Sequence, residues 1–112
     1  MGTLKELQDW YKSQCNDDWE HSYGVKIDTL DNPGWTVTID IADTDLEDAI
    51  FRQVEYGVGA NGMASGENWL TCKVENGKFI SYGGPDKLEE ILRIFLGWAR
   101  TNSEQKVSPD RQ

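Results

Sequence analysis

The chain is poor in the residues that build disulfide frameworks, metal centres and membrane spans. Its 112 residues include two cysteines, one histidine and three prolines. Two cysteines make no disulfide framework, and no apolar run approaches the length of about 18 residues that a membrane span requires. Residues 1–9 lack the apolar core of a secretory signal. We therefore expect a cytoplasmic protein with two free thiols and no membrane segment.

Positive charge is also scarce, and its scarcity is local. The formal net charge is −9. In residues 16–48, Lys26 alone stands against ten acidic residues, whereas the rest of the chain has ten of each sign. Such a chain should be repelled by nucleic acid and by anionic membranes. The acidity could serve only to keep the protein dispersed, but its uneven placement favours a basic protein partner.

The length predicts one domain with one core. At this size, folding removes roughly 65% of the unfolded chain's surface from water. That core has no room for a dinucleotide, and we expect no cofactor. We assign residues 1–100 to an α+β domain and residues 101–112 to a polar tail, and we take the protein to be a monomer.

Hydrophobic periodicity places the elements along the chain. A helix is predicted over residues 3–14, with a capping box formed by Thr3 and Glu6. Alternating residues predict strands over 23–30 and 35–41, a hairpin of two strands over 68–82, and a less regular strand over 50–57. A second helix begins near Pro85 and ends near Arg100. The fold class is therefore α+β: an antiparallel sheet of four or five strands, built from hairpins, with an N-terminal and a C-terminal helix packed on it.

Two turns set the predicted strand registers. Asn76-Gly77 is a strong hairpin signal and pairs Val74 with Phe79. In the segment LDNPGW, a loop of residues 32–34 would pair Lys26 with Asp40, with Gly34 accepting a positive φ. Residues 57–68 hold four glycines and predict a loop.

The stretch CNDDWEH, residues 15–21, crowds reactive side chains together. One cysteine and one histidine do not make the paired motif of a zinc site. Cys15 could pair with His21 as a nucleophile, with Glu20 nearby. However, the helix end and the adjacent aspartates raise a thiol pKa, so we favour a small buried cysteine at the helix end for Cys15, and Cys72 alternates inward on its strand as a core residue. A hydrolase or thiol enzyme that uses Cys15, Glu20 and His21 stays as the alternative, as does an acidic adaptor domain.

Binding is the function that the residues favour. Trp19 lies in an acidic turn, where it either plugs the space between helix and sheet or anchors a partner. From charge alone, we predict that a first surface contacts a basic partner through Asp17, Asp18, Trp19, Glu20, Asp31, Asp43, Asp45 and Glu47. Trp69 and Tyr82 form a second candidate surface, and the 57–68 loop is an alternative recognition element.

Two long segments carry a family resemblance. They read LQDWYKSQCNDDWEHSYGVKIDTLDNPGWTVTIDI and WLTCKVENGKFISYGGPDKLEEILRIFLGWA. Through them the chain resembles the Imm53 family of bacterial immunity proteins over residues 4–99. The resemblance is most specific at Trp10-Tyr11, at 15–24 and at the TLDNPGW turn. It implies a protein of polymorphic toxin systems that stays in the producing cell's cytoplasm and binds a toxin domain, often a nuclease, without being a catalyst.

Overall fold

The computed structural model describes residues 2–31, 33–58 and 68–107, with side chains described as far as Asn102. Within these residues, three helices and five strands follow one another in the order α1, α2, β1, β2, β3, β4, β5, α3. Their bounds are Thr3–Gln14, Trp19–Ser22, Val25–Leu30, Gly34–Asp40, Val54–Tyr56, Leu70–Glu75, Lys78–Gly83 and Leu88–Val107. The predicted α+β class is confirmed, and the short helix α2 is an addition that the sequence patterns did not show.

The strands form one antiparallel sheet in the order β1-β2-β5-β4-β3. One face carries the core, because residues directly opposite across the strands share a face. Val37, Ile39 and Phe79 are fully buried on it. Helix α3 packs there through Ile91, Phe95 and their neighbours, and α1 packs beside α3. None of the helices in the described part of the chain has both the length and the apolar character needed to cross a lipid bilayer.

The hairpin of β4 and β5 forms as predicted. Val74 pairs with Phe79 and Cys72 with Ser81, around the turn Asn76-Gly77. Both turn residues have positive φ, 54° and 76°. This is the backbone that a two-residue hairpin turn requires and that Asn-Gly accepts at least cost.

The predicted register of β1 and β2 is wrong by two residues. Val25 pairs with Ile39 and Leu30 with Gly34, so Lys26 lies opposite Thr38 rather than Asp40. Odd-numbered positions do pair with odd-numbered positions, as predicted, so the apolar side chains of both strands lie on the same face. Pattern alone cannot separate registers that differ by two, because each keeps the same side chains on the same face.

Gly34 is required for a reason other than the predicted positive φ. It begins β2 and is not among the described residues with positive φ. A β-carbon at this position would overlap the carbonyl oxygen of Gly83 on the neighbouring strand. Close approach of two backbones, rather than a turn conformation, therefore demands glycine here.

The predicted helix ends need three corrections. Thr3 lies inside α1 and its hydroxyl contacts Glu89 of α3, so it forms no capping box with Glu6. Helix α3 begins at Leu88, after a turn in which the Lys87 N–H donates to the Gly84 carbonyl. Its backbone continues to Val107, past the predicted end near Arg100.

Most of the 57–68 loop lies outside the described residues.

Candidate functional site

The loop between α1 and α2 is built by side chains that bind their own backbone. The Asn16 carbonyl oxygen Oδ1 accepts from the N–H groups of Asp18 and Trp19, at 3.0 and 2.9 Å. The Glu20 carboxylate accepts from the N–H groups of Asn16 and Asp17, at 2.9 and 2.8 Å. These reciprocal bonds satisfy the backbone donors of the loop and that of Trp19, the first residue of α2, and they close the loop into a compact unit.

Glu20 therefore has a different role from the one predicted. Hydrogen bonds from backbone N–H groups, first its own and then those of Asn16 and Asp17, hold the pKa of the Glu20 carboxyl below its usual range, which keeps it ionised. Its oxygens are aimed at the backbone of the loop rather than outward like those of Asp17 and Asp18. Glu20 shapes the acidic surface by fixing the loop, and its contact with a partner stays a prediction.

Trp19 fills the space at the junction between helix and sheet. Its side chain is only 3% exposed and lies against the rings of Trp10, Tyr11 and Tyr23. The indole N–H donates to the Ala42 carbonyl at 3.0 Å. Of the two interpretations of Trp19, burial between helix and sheet is therefore the one that the fold favours. The bond to Ala42 also holds the loop at 15–18 beside the segment that follows β2.

An acidic segment flanks each of the two residues that this bond joins. One contributes Asp17 and Asp18, and the other, after β2, contributes Asp43, Asp45 and Glu47; all five residues are exposed. We call these five residues the acidic end. Asp17 and Asp43 both have positive φ, 74° and 62°, a conformation that aspartate and asparagine accept more readily than most residues. The Asp43 N–H donates to the Glu47 carboxylate at 3.2 Å, which orders the second segment.

Asp40 and Lys78 tie the sheet together next to the acidic end. The Lys78 ammonium lies 2.6 Å from one Asp40 oxygen, and the Gly24 N–H donates to the other at 2.9 Å. Asp40 is buried. The ion pair with Asp40 offsets the positive charge of Lys78. The neighbouring residues of the acidic end therefore remain as excess negative charge. The sequence patterns had paired Asp40 with Lys26 and so missed this link.

The remaining predicted contact residues lie elsewhere. Asp31 is in the turn after β1, at the other end of β2 from Ala42. The seven residues of β2 separate the two ends by about 20 Å. Tyr82 is 40% exposed on the sheet face that points away from α3, whereas Trp69 is only 8% exposed. The predicted first surface is thus divided, and Asp31 does not join the acidic end.

The side chains of the alternative catalytic cluster, Cys15, Glu20 and His21, have the following surroundings. The Cys15 sulfur, half-buried, lies 3.4 Å from the Tyr11 carbonyl. The Glu20 oxygens are held by backbone donors, and the His21 side chain is exposed rather than part of the junction. Within residues 2–31, 33–58 and 68–107, no three potential ligand side chains come together as a metal site would need.

Cys72 is a core residue on β4. It is fully buried, and its sulfur lies 3.1 Å from the Ser81 hydroxyl. Burial raises the pKa of the Cys72 thiol to about 11. The folded state therefore favours the neutral thiol more than the unfolded state does. The stability that this preference contributes is fully present below pH 9.0, the ordinary pKa of a cysteine thiol, and is lost as the pH rises through about 11.

We predict that native Cys72 resists thiol reagents near neutral pH, because the thiolate is the reactive form and the sulfur is enclosed. In a Cys15→Ala variant, a chromogenic disulfide reagent should release no signal until urea unfolds the protein. A Cys72→Ala variant is the matched control and should react at Cys15 in the native state. Immediate reaction of the Cys15→Ala variant would contradict the burial of Cys72.

Comparison with known proteins agrees with the resemblance noted in the sequence. No curated protein and no solved structure matches the chain. The model of one family, described as Immunity protein 53, matches residues 4–100. The match covers the paired acidic segments, the Trp19 junction, all five strands and α3 as far as Arg100. Over nearly its whole length, therefore, this chain belongs to the Immunity protein 53 family.

Proposed function

We propose that this protein binds and neutralises a cognate bacterial toxin domain, and that the acidic end is the surface that meets it. The family supports an immunity role. The observation that carries the choice of surface is the bond from Trp19 to Ala42, which brings two acidic segments together. The protein acts in the cytoplasm of the producing cell by covering the toxin's active or substrate-binding surface, and it is not itself a catalyst.

Charge indicates the kind of toxin. A domain that cleaves nucleic acid must attract phosphates and so carries a basic groove. Five carboxylates on one exposed end would steer such a domain toward the inhibitor and compete for its phosphate-binding residues. A basic nuclease domain is therefore the target that this surface fits best.

Co-expression tests the proposal directly. The toxin gene next to the gene for this protein should kill the host when expressed alone. Growth should recover when both are expressed, and the two products should purify as one complex. Continued killing, with no complex formed by any neighbouring toxin, would overturn the proposed function.

The choice of surface is tested by neutralising one residue from each acidic segment. We predict that Asp17→Asn with Asp43→Asn lowers the association rate for the toxin about three- to tenfold at low salt and changes the dissociation rate less. Asparagine is chosen because it also accepts the positive φ of both positions. Stopped-flow mixing at several salt concentrations would measure both rates.

The matched control removes the same charge from the other end of the sheet. Asp31 and Asp86 are exposed there, and Asp31→Asn with Asp86→Asn should leave the association rate nearly unchanged. Glu20 is left intact in both variants because its carboxylate holds the loop. Equal slowing by both pairs of substitutions would show that net charge, rather than the acidic end, steers the toxin.

A further inference from the structure

Strand β1 is an unpaired edge of the sheet. It has β2 on one side and no strand on the other within the described residues. The Asp40 N–H donates to the Gly24 carbonyl at 3.0 Å, which makes Gly24 and Asp40 a hydrogen-bonded pair. Because such pairs alternate in an antiparallel ladder, the backbone groups of Val25, Ile27 and Thr29 point away from β2. They form a row of donors and acceptors along the edge of the sheet, in which the Thr29 N–H donates to the Asp28 carboxylate at 2.8 Å.

Apolar surface lies next to this row. Ile27 is on the core face of the sheet yet is 38% exposed, because it lies beyond the cover that α3 provides. Leu4 and Tyr11 of α1 are 63% and 39% exposed. A groove of about 340 Å³ runs between α1 and the start of β1 and is lined by Leu7, Gln8, Tyr11, Gly24 and Val25. A strand added to β1 would cover part of this surface.

The sequence of β1, VKIDTL, is complementary to itself in the antiparallel direction. If a second copy pairs with β1 about Ile27, the two Ile27 side chains meet and each Val25 lies opposite a Thr29. On the other face, each Lys26 lies opposite an Asp28. Opposite charges directly across two strands attract, whereas like charges repel.

The hydrogen-bonding row is compatible with the same register, and the charges select it from the others. Pairing about Ile27 uses the outward groups of Val25, Ile27 and Thr29 in both copies and allows six backbone hydrogen bonds. Two of the six require the Thr29 N–H of each copy to exchange the Asp28 carboxylate for the partner's Val25 carbonyl. A register shifted by two, about Lys26 or Asp28, keeps these groups paired but sets two lysines or two aspartates against each other. A lone charge on an edge strand normally prevents such pairing. In this register, however, Lys26 of each copy lies opposite Asp28 of the other copy, and the two charges attract.

We propose that this protein forms a symmetric dimer in which the β1 strands of two copies pair about Ile27, joining their sheets into one of ten strands. The second copy is the occupant of the edge because its charge pattern and its hydrogen-bonding pattern agree on one register. The dimer does not depend on the immunity role, and neither result would decide the other. A six-residue contact is small beside a stable interface, so a dissociation constant in the micromolar range is expected.

Sedimentation velocity over a dilution series across the micromolar range tests the dimer. The wild type should pass from monomer to dimer. Lys26→Glu and Asp28→Lys should each raise the dissociation constant at least about tenfold, because each turns two attractive pairs into two repulsive pairs. The combined variant Lys26→Asp with Asp28→Lys restores opposite charges and should dimerise like the wild type.

Two controls keep the outcomes separate. Arg52→Glu makes the same charge change as Lys26→Glu, but before β3 near the other edge of the sheet, and should not affect dimerisation. Hydrogen exchange should show protection of the Val25, Ile27 and Thr29 amides that increases with concentration, and circular dichroism checks that each variant is folded.

Three results would overturn the proposal. The first is a wild type that stays monomeric at every concentration of the dilution series. This includes the case in which the amides of Val25, Ile27 and Thr29 become protected only when toxin is added. The second is dimerisation that both single reversals leave unchanged. The third is a folded charge-swap variant that stays monomeric.

Discussion

Replacing Trp19 with alanine should lower the free energy of unfolding by about 3–5 kcal/mol. The side chain is buried, and its ring lies 6.0 Å from that of Trp10 and 5.9 Å from that of Tyr23, centroid to centroid. Removing it leaves a cavity at the junction of helix and sheet and also leaves the Ala42 carbonyl without its indole donor. Urea unfolding followed by circular dichroism would measure the loss.

A second substitution separates volume from hydrogen bonding. Trp19→Phe keeps most of the apolar ring but cannot donate to Ala42, so it should cost about 1–2 kcal/mol. If the bond to Ala42 holds the two acidic segments together, Trp19→Phe should also slow toxin association although it removes no charge. A loss below about 1 kcal/mol for Trp19→Ala would contradict the structural role of the indole.

Gly34→Ala should lower the free energy of unfolding by about 1–3 kcal/mol, as overpacking does elsewhere. The added β-carbon would overlap the Gly83 carbonyl oxygen, which is a backbone atom and cannot rotate away. Strands β2 and β5 would have to separate near the Trp35–Gly83 pair. Thermal unfolding and the exchange rates of amides in β5 would show both effects.

Gly24→Ala is the matched control for that experiment. A β-carbon at Gly24 would meet no atom within 4 Å, and this glycine does not have positive φ. Its replacement should therefore leave stability unchanged or raise it by about 0.4–1 kcal/mol through the unfolded chain. Equal losses for the two variants would mean that the contact with Gly83 is not what requires glycine at position 34.

Local signals in the sequence were enough for several elements. The bounds of α1 follow from its 3.6-residue period and from the Asn and Asp residues after it. The β4–β5 hairpin follows from Asn76-Gly77 between alternating strands, and its register is confirmed pair by pair. The buried stripe of α3 was also predictable, since Ile91, Phe95 and Ala99 recur at helical spacing. In each case the deciding interactions lie within one element or across one tight turn.

The features that needed the tertiary structure depend on residues far apart in the chain. The β1–β2 register is two residues from the predicted one, and Asp40 binds Lys78, 38 positions away, instead of Lys26. No pattern within β2 could show which strand would supply its cation. The need for glycine at position 34 likewise comes from Gly83, a contact that exists only once β5 lies beside β2.

The candidate site shows the same division. The sequence by itself determined that the acidic residues gather in one part of the chain and that a tryptophan lies among them. Only the fold decided which of these acids act together: Trp19 joins the 15–18 loop to Ala42, Glu20 turns back to hold that loop, and β2 carries Asp31 to the opposite end. The physical reason is that composition records how many charges a segment has, whereas hydrogen bonds and strand direction decide where each charge points.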